Sequence, residues 1–128
     1  MQLQATKLFE ENFKQAMRSA CIHTGFHDSK AKLAKAALSE QSAETLTHRA
    51  KEAFELVLQI LPEEQDEADI KYKQEVEKQW KDSLQDLQDR QCYKAACRTN
   101  LETAQVLLTE FQSELCQMIR DMRQTAYR

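Results

Sequence analysis

The sequence predicts an all-α protein, folded as an antiparallel four-helix bundle with up-down-up-down topology. The first observation is the shortage of turn residues, since the 128 residues include one glycine and one proline. Hairpin turns and phosphate-binding loops depend on residues that adopt positive φ, chiefly glycine. The second observation is a composition rich in Ala, Gln, Glu and Lys, which are good helix formers. Sandwich folds, Rossmann folds and P-loop sites are therefore excluded, and we expect a single domain over residues 1–128.

Two helices are expected before the proline. Residues 3–23 carry an apolar stripe at helical spacing, made of Leu3, Phe9, Phe13, Ala16, Met17 and Ala20. Gly25 suits the left-handed residue that follows a helix C-terminus. Asp28 or Ser29 supplies an N-cap oxygen for the second helix, over residues 28–61. The apolar stripe of that helix fades over residues 39–43, which predicts a kink or a short break.

Two further helices are expected after the proline, over residues 63–97 and 99–126. Pro62 is placed at the first helical position, where its missing N–H costs nothing. The acidic run that follows favours the positive end of the helix dipole. The apolar stripe lapses over residues 88–98, and Thr99 to Glu102 has the spacing of a capping box, which together predict a tight turn near 97–100. Since nothing after Pro62 breaks a helix outright, one continuous helix over 63–127 is the alternative.

Charge and hydropathy exclude several partners. The chain has 18 Lys and Arg against 21 Asp and Glu, a net charge of −3. No basic excess marks a nucleic-acid or anionic-membrane surface, and the longest apolar runs, such as Leu56 to Leu58, are far too short to span a membrane. We expect a cytoplasmic protein, with the nucleus as an alternative, and four reduced cysteines. A secreted helical cytokine with oxidised cysteines remains the other interpretation of an even cysteine count.

One local cluster has reactive side chains, namely Cys21, His23 and His27. Two histidines four residues apart on one helix can share a metal, and a thiol adds a soft ligand. Because Gly25 is expected to end the helix between them, the interpretation as ordinary helix-end side chains is favoured. Cys21 and Cys97 are expected to be buried small side chains. No Glu-x-x-His motif occurs, so we predict neither an enzyme nor a bound cofactor or metal.

The informative apolar residues are those that lie off the stripes. Leu56 and Ile60 widen the apolar arc of the second helix to about 200°, where one bundle face needs about 100°. Val106 and Leu8 also lie off the stripes of their helices. These four residues are the predicted partner-binding set. The function predicted from them is a non-enzymatic adaptor or scaffold that packs an apolar face against a partner's amphipathic helix. The alternative is a homodimeric coiled-coil structural protein, and a thiol or metal module at Cys21, His23 and His27 is a third.

Overall fold

The protein folds into two long helices that pack against each other. The computed structural model describes the backbone of residues 2–126 and the side chains of residues 6–126. Helix α1 covers Gln2–Ile60 and helix α2 covers Glu67–Ala126. The all-helical class is therefore confirmed, whereas the division into four helices is wrong. The chain stays helical through all three predicted breaks, near Gly25, at 39–43 and at 97–100.

Helix α1 continues through Gly25, which does not adopt positive φ. Glycine permits a left-handed C-terminus but does not force one, and its cost inside a helix is only about 1 kcal/mol. Helix α2 likewise continues through Thr99 and Asn100, so the alternative of one helix is confirmed from Glu67 to Ala126. Residues 63–66 of that alternative belong to the connection instead. Tyr127 and the side chain of Leu3 lie outside the described residues.

The connection between the helices is short and is defined at both ends. The N–H of Leu61 donates to the carbonyl of Val57 at 3.0 Å, after which Pro62 has no N–H to continue the ladder. Pro62 thus ends α1 and does not begin α2. Asp66 caps α2: its Oδ1 accepts a hydrogen bond from the N–H of Asp69 at 2.8 Å, and Asp69 Oδ2 accepts from the N–H of Asp66 at 3.5 Å. The structure therefore supports the predicted role of the acidic run only in part, with Glu67 and Asp69 in the first turn of α2.

The packed helices form two compact units. Unit 1 combines α1 up to Lys32 with α2 from Arg98, and unit 2 covers Leu33–Cys97. In unit 2, Ser39 pairs with Arg90 and Phe54 stacks on Trp80, so partner numbers fall along α2 as they rise along α1. The helices of unit 2 are therefore antiparallel. Their less exposed residues recur at alternating spacings of three and four, the pattern of a coiled-coil seam.

Polar residues occupy the middle of the unit 2 seam. Lys94 Nζ lies 3.0 Å from Glu40 Oε2, and these side chains are 28% and 15% exposed. Arg90 Nη1 donates to Ser39 Oγ, and the buried Thr47 hydroxyl donates to the carbonyl of Ser83 at 3.1 Å. The apolar stripe thus lapses at 39–43 and at 88–98 because polar residues of these two segments pair with each other. The lapses mark pairing between the helices and not breaks within them.

Unit 1 has a seam that contains small and polar side chains as well as apolar ones. On α1 it uses Gln15, Ser19, Ile22, Phe26 and Ser29, and on α2 it uses Leu101, Ala104, Leu108, Phe111 and Leu115. Phe111 is 1% exposed, with the Arg18 guanidinium 5.1 Å from its ring centroid. Arg18 Nη1 also lies 2.6 Å from Glu114 Oε2. The stripe predicted as the core of the first helix is not this seam, and Phe9, Phe13 and Met17 are exposed.

Candidate functional site

An apolar groove lies in unit 2 beside the connection between the helices. We call it the hairpin groove, and its volume is about 270 Å³. The residues that line it are Ala53, Leu56, Val57, Ile60, Leu61, Tyr72 and Val76. The α1 residues recur at spacings of three and four over the last two turns, so they share one face. Tyr72 and Val76 are four residues apart near the start of α2 and supply the other wall. The Asp66 cap fixes where α2 begins and hence where Tyr72 stands.

The hairpin groove has a buried floor and exposed walls. Val57 and Val76 are 8% and 9% exposed, whereas Leu56, Ile60 and Tyr72 are 54%, 70% and 55% exposed. Large aliphatic and aromatic side chains held open above a packed floor are typical of a binding surface. The groove therefore combines a concave shape with apolar side chains.

The floor of the hairpin groove is held by packing deeper in unit 2. The rings of Phe54 and Trp80 stack with centroids 5.6 Å apart and an interplanar angle of 23°. Both residues belong to the seam, where Phe54 is next to Val57 and Trp80 is next to Val76. Stacked aromatic pairs of this kind contribute about 0.5–1.5 kcal/mol beyond their buried area. The groove is thus built on a fixed base.

Acidic residues dominate the segment that carries the groove. Residues 51–76 contain three lysines and eight acidic side chains, a net charge of −5, while the whole chain carries −3. The acidic residues are Glu52, Glu55, Glu63, Glu64, Asp66, Glu67, Asp69 and Glu75. Charges around an apolar contact select partners and accelerate association more than they raise affinity. The negative charge of this segment favours a basic partner and disfavours an acidic one.

The structure brings two of the four predicted partner-binding residues together. Leu56 and Ile60 line the hairpin groove side by side. Val106 belongs to unit 1, where it is 55% exposed and lines a shallow cleft with four other α2 residues, Glu102, Gln105, Thr109 and Glu110. Leu8 also belongs to unit 1 and is 60% exposed. Sequence reasoning missed Tyr72, although its i,i+4 spacing to Val76 matches that of Leu56 to Ile60.

The cysteine and histidine cluster has a different geometry from the one expected. Because α1 continues through Gly25, His23 and His27 are four residues apart on one unbroken helix. Among the described residues, no group of three or more His, Cys, Asp or Glu side chains is placed to hold a metal ion. Cys21 is exposed, so its predicted burial is wrong, whereas Cys97 is buried as predicted. The neighbouring Cys97 thiol raises the pKa of the exposed Tyr93 above its ordinary value.

A second apolar surface lies on α1 of unit 1. Phe9, Phe13 and Met17 are 70%, 58% and 52% exposed, and they recur every four residues. At 100° per residue they fall within about 80° of arc and are centred about 160° from the seam residues of the same helix. This Phe9–Met17 stripe therefore points away from α2.

Comparisons with known proteins supply no assignment for these surfaces. Neither the protein-family models, nor the curated proteins, nor the solved structures contain a match to the chain. Within residues 2–126, neither helix has an apolar stretch of the length needed to cross a membrane.

Proposed function

We propose that the protein is a non-enzymatic protein–protein interaction module that binds an amphipathic helix of a partner in the hairpin groove. The observation that carries this proposal is the exposure of Leu56 and Ile60 above the buried Val57 and Val76. Helices dock into such grooves through apolar side chains at i, i+3, i+4 and i+7. A groove of about 270 Å³ accommodates one or two such side chains.

The charge of the groove segment specifies the partner further. A net charge of −5 over residues 51–76 favours a helix whose apolar face is flanked by lysine or arginine. We extend the proposal to a cytoplasmic location, with the nucleus as an alternative. Cys92 and Cys97 are five residues apart on the continuous α2, a spacing that turns their side chains about 140° from each other and suits free thiols better than a disulfide.

The experiment uses a synthetic amphipathic peptide of Leu, Ala and Lys and a matched peptide in which Glu replaces every Lys. The Lys peptide should bind the full chain, and the Glu peptide should bind at least about tenfold more weakly. Leu56→Asp should reduce binding of the Lys peptide by at least about tenfold, since a charge then stands in the groove. Fluorescence anisotropy measures both comparisons.

The control variant is Leu38→Asp, because Leu38 is 66% exposed on α1 of unit 2 and does not line the groove. Both variants add one negative charge, so a non-specific attraction of the Lys peptide to an acidic protein would strengthen equally in the two. Binding that survives Leu56→Asp as well as it survives Leu38→Asp would refute the proposal. A loss of helicity in Leu56→Asp alone would show that Leu56 is a core residue.

A homodimeric structural protein is the second candidate function. The observation that favours it is the uninterrupted course of α2 from Glu67 to Ala126, which the homodimer interpretation required and the four-helix bundle did not. Val106 and Leu8, both exposed in unit 1, stay predicted contact residues under either candidate. Light scattering over a hundredfold concentration range separates a monomeric adaptor from a self-associating protein.

A further inference from the structure

The Phe9–Met17 stripe is the feature of unit 1 that the fold of one chain leaves unexplained. Its three large side chains are more than half exposed, whereas the seam beside them uses Gln15 and Ser19. Gln15 Oε1 is buried there with no hydrogen-bond partner in the part of the chain that the structure describes. Over residues 9–19, the more apolar face of α1 therefore faces solvent, and the more polar face is packed.

We infer that a second copy of this chain covers the Phe9–Met17 stripe, with the two α1 helices crossing antiparallel about a two-fold axis at Phe13. The inference deepens the second candidate function, self-association, and rests on it. A two-fold axis at Phe13 sets Phe13 against its equivalent and sets Phe9 of one copy opposite Met17 of the other. Thioether sulfur against an aromatic ring is a favourable contact.

The charges that flank the stripe are complementary to themselves under this symmetry. Glu10 and Lys14 lie four residues apart on the same flank of the stripe. In an antiparallel pair each flank faces the equivalent flank of the other helix, so Glu10 of one copy lies within one turn of Lys14 of the other. Each Lys14 also lies within one turn of its equivalent, so two Glu10–Lys14 attractions stand against one Lys14–Lys14 repulsion. The flank is therefore self-complementary on balance, as a two-fold contact requires.

The hairpin groove does not meet the same requirement, because the segment that carries it has a net charge of −5 and two copies would repel each other there. The two surfaces therefore have different partners: a basic helix for the groove and a second copy for the stripe. The charge pattern distinguishes them, although both surfaces are apolar at their centre.

The exposed area sets the strength of association that we expect. Phe9, Phe13 and Met17 are exposed by 52–70%, which leaves on the order of 400 Å² of their side-chain surface in solvent. With Ala16 and the flanking side chains, the contact approaches about 500 Å² per copy, or about 1,000 Å² in total. This is the lower limit of a specific interface, so the dimer should be weak and should depend on protein concentration.

Sedimentation velocity of the full chain from about 5 to 500 μM tests the inference. The wild type should shift reversibly from monomer to dimer. Phe13→Gln should raise the dimer dissociation constant at least about 30-fold, because the symmetry removes two rings from the interface. Phe13→Asp serves as a second variant, and circular dichroism checks that both keep their helicity. Leu56→Asp should leave the dissociation constant within about twofold of wild type.

The charge pair gives a second test that a merely structural role of α1 would not pass. Glu10→Lys and Lys14→Glu should each weaken the dimer by about 3- to 10-fold, and the double variant should restore it. A wild type that stays monomeric throughout would overturn this inference together with the second candidate function. A dimer that survives both Phe13 variants, or a double variant no better than the singles, would overturn the assigned surface while leaving self-association in place.

Discussion

Gly25→Ala tests the central difference between the two-helix fold and the four-helix bundle. In the structure Gly25 lies inside α1 without positive φ, and a Cβ built there meets no heavy atom within 4 Å. Alanine should therefore fit without strain. Replacing an interior helix glycine by alanine contributes about 0.5–1 kcal/mol of stability, because alanine loses less backbone entropy on folding. For a chain of this length the melting temperature should rise by about 2–6 °C.

Gly25→Ala is expected to destabilise the protein if Gly25 ends a helix. A left-handed residue at that position would make alanine unfavourable by about 1–2 kcal/mol and would lower the melting temperature. Thermal and urea unfolding followed by circular dichroism measure the change. Ala31→Gly, at another exposed position of α1 in unit 1, is the reverse control and should cost about as much as Gly25→Ala gains. A destabilised Gly25→Ala would refute the continuous helix.

Two further predictions concern the seam of unit 1. Phe111→Ala should lower the free energy of unfolding by about 3–5 kcal/mol, since Phe111 is 1% exposed. The control Val106→Ala, on the exposed face, should change it by less than about 0.5 kcal/mol. A loss under about 1 kcal/mol for Phe111→Ala in urea titration would contradict the packing of Phe111. The hydrogen bond from Arg18 holds the pKa of Glu114 below its ordinary value, so this contact stabilises the fold above the ordinary glutamate pKa of about 4.3 and is lost as the pH falls through the lowered pKa. The melting temperature of Glu114→Gln should therefore be lower than that of the wild type at pH 7 and equal to it at about pH 2. A difference in melting temperature that persists in acid would show that the ion pair does not cause it.

The helical class followed from the sequence because it depends on local residue preferences. One glycine and one proline leave few places where a chain of 128 residues can turn sharply. The position at which the chain reverses between α1 and α2 also follows from Pro62, which lies in the connection. Its role was misassigned because the same residue suits a helix start and a helix stop, and Asp66 four residues later supplies the cap.

The number of helices did not follow from the sequence, because the lapses in apolar spacing have a tertiary cause. Glu40 and Lys94 each interrupt the stripe of their own helix, and each resembles a break when that helix is considered alone. Their opposite charges at positions that continue the three–four spacing were a signal available in the sequence. A capping box at Thr99 forms only where the preceding residues leave the helix, and the seam residues Cys97 and Leu101 hold both sides in it.

The candidate site followed from the sequence in part. An apolar arc that was too wide for one face identified Leu56 and Ile60, and the structure places both on the hairpin groove. The same argument included Val106 and Leu8, which belong to unit 1 and are exposed away from the groove. Periodicity reports that a residue is apolar and off the stripe, but it does not report which neighbours the fold brings beside it. Predicting that Tyr72 lines the hairpin groove requires the register between the helices.

That register is itself determined by the polar middle of the unit 2 seam. Two antiparallel helices with heptad spacing can slide by seven residues and still place apolar positions face to face. A slide of that size would set Lys94 opposite Leu33 or Thr47, leaving a half-buried ammonium without its carboxylate. Removing one partner of such a pair costs more than the pair itself contributes. The Glu40–Lys94 ion pair thus selects one register between the two helices of unit 2. If two chains exchanged helices, the same ion pair would select the same register.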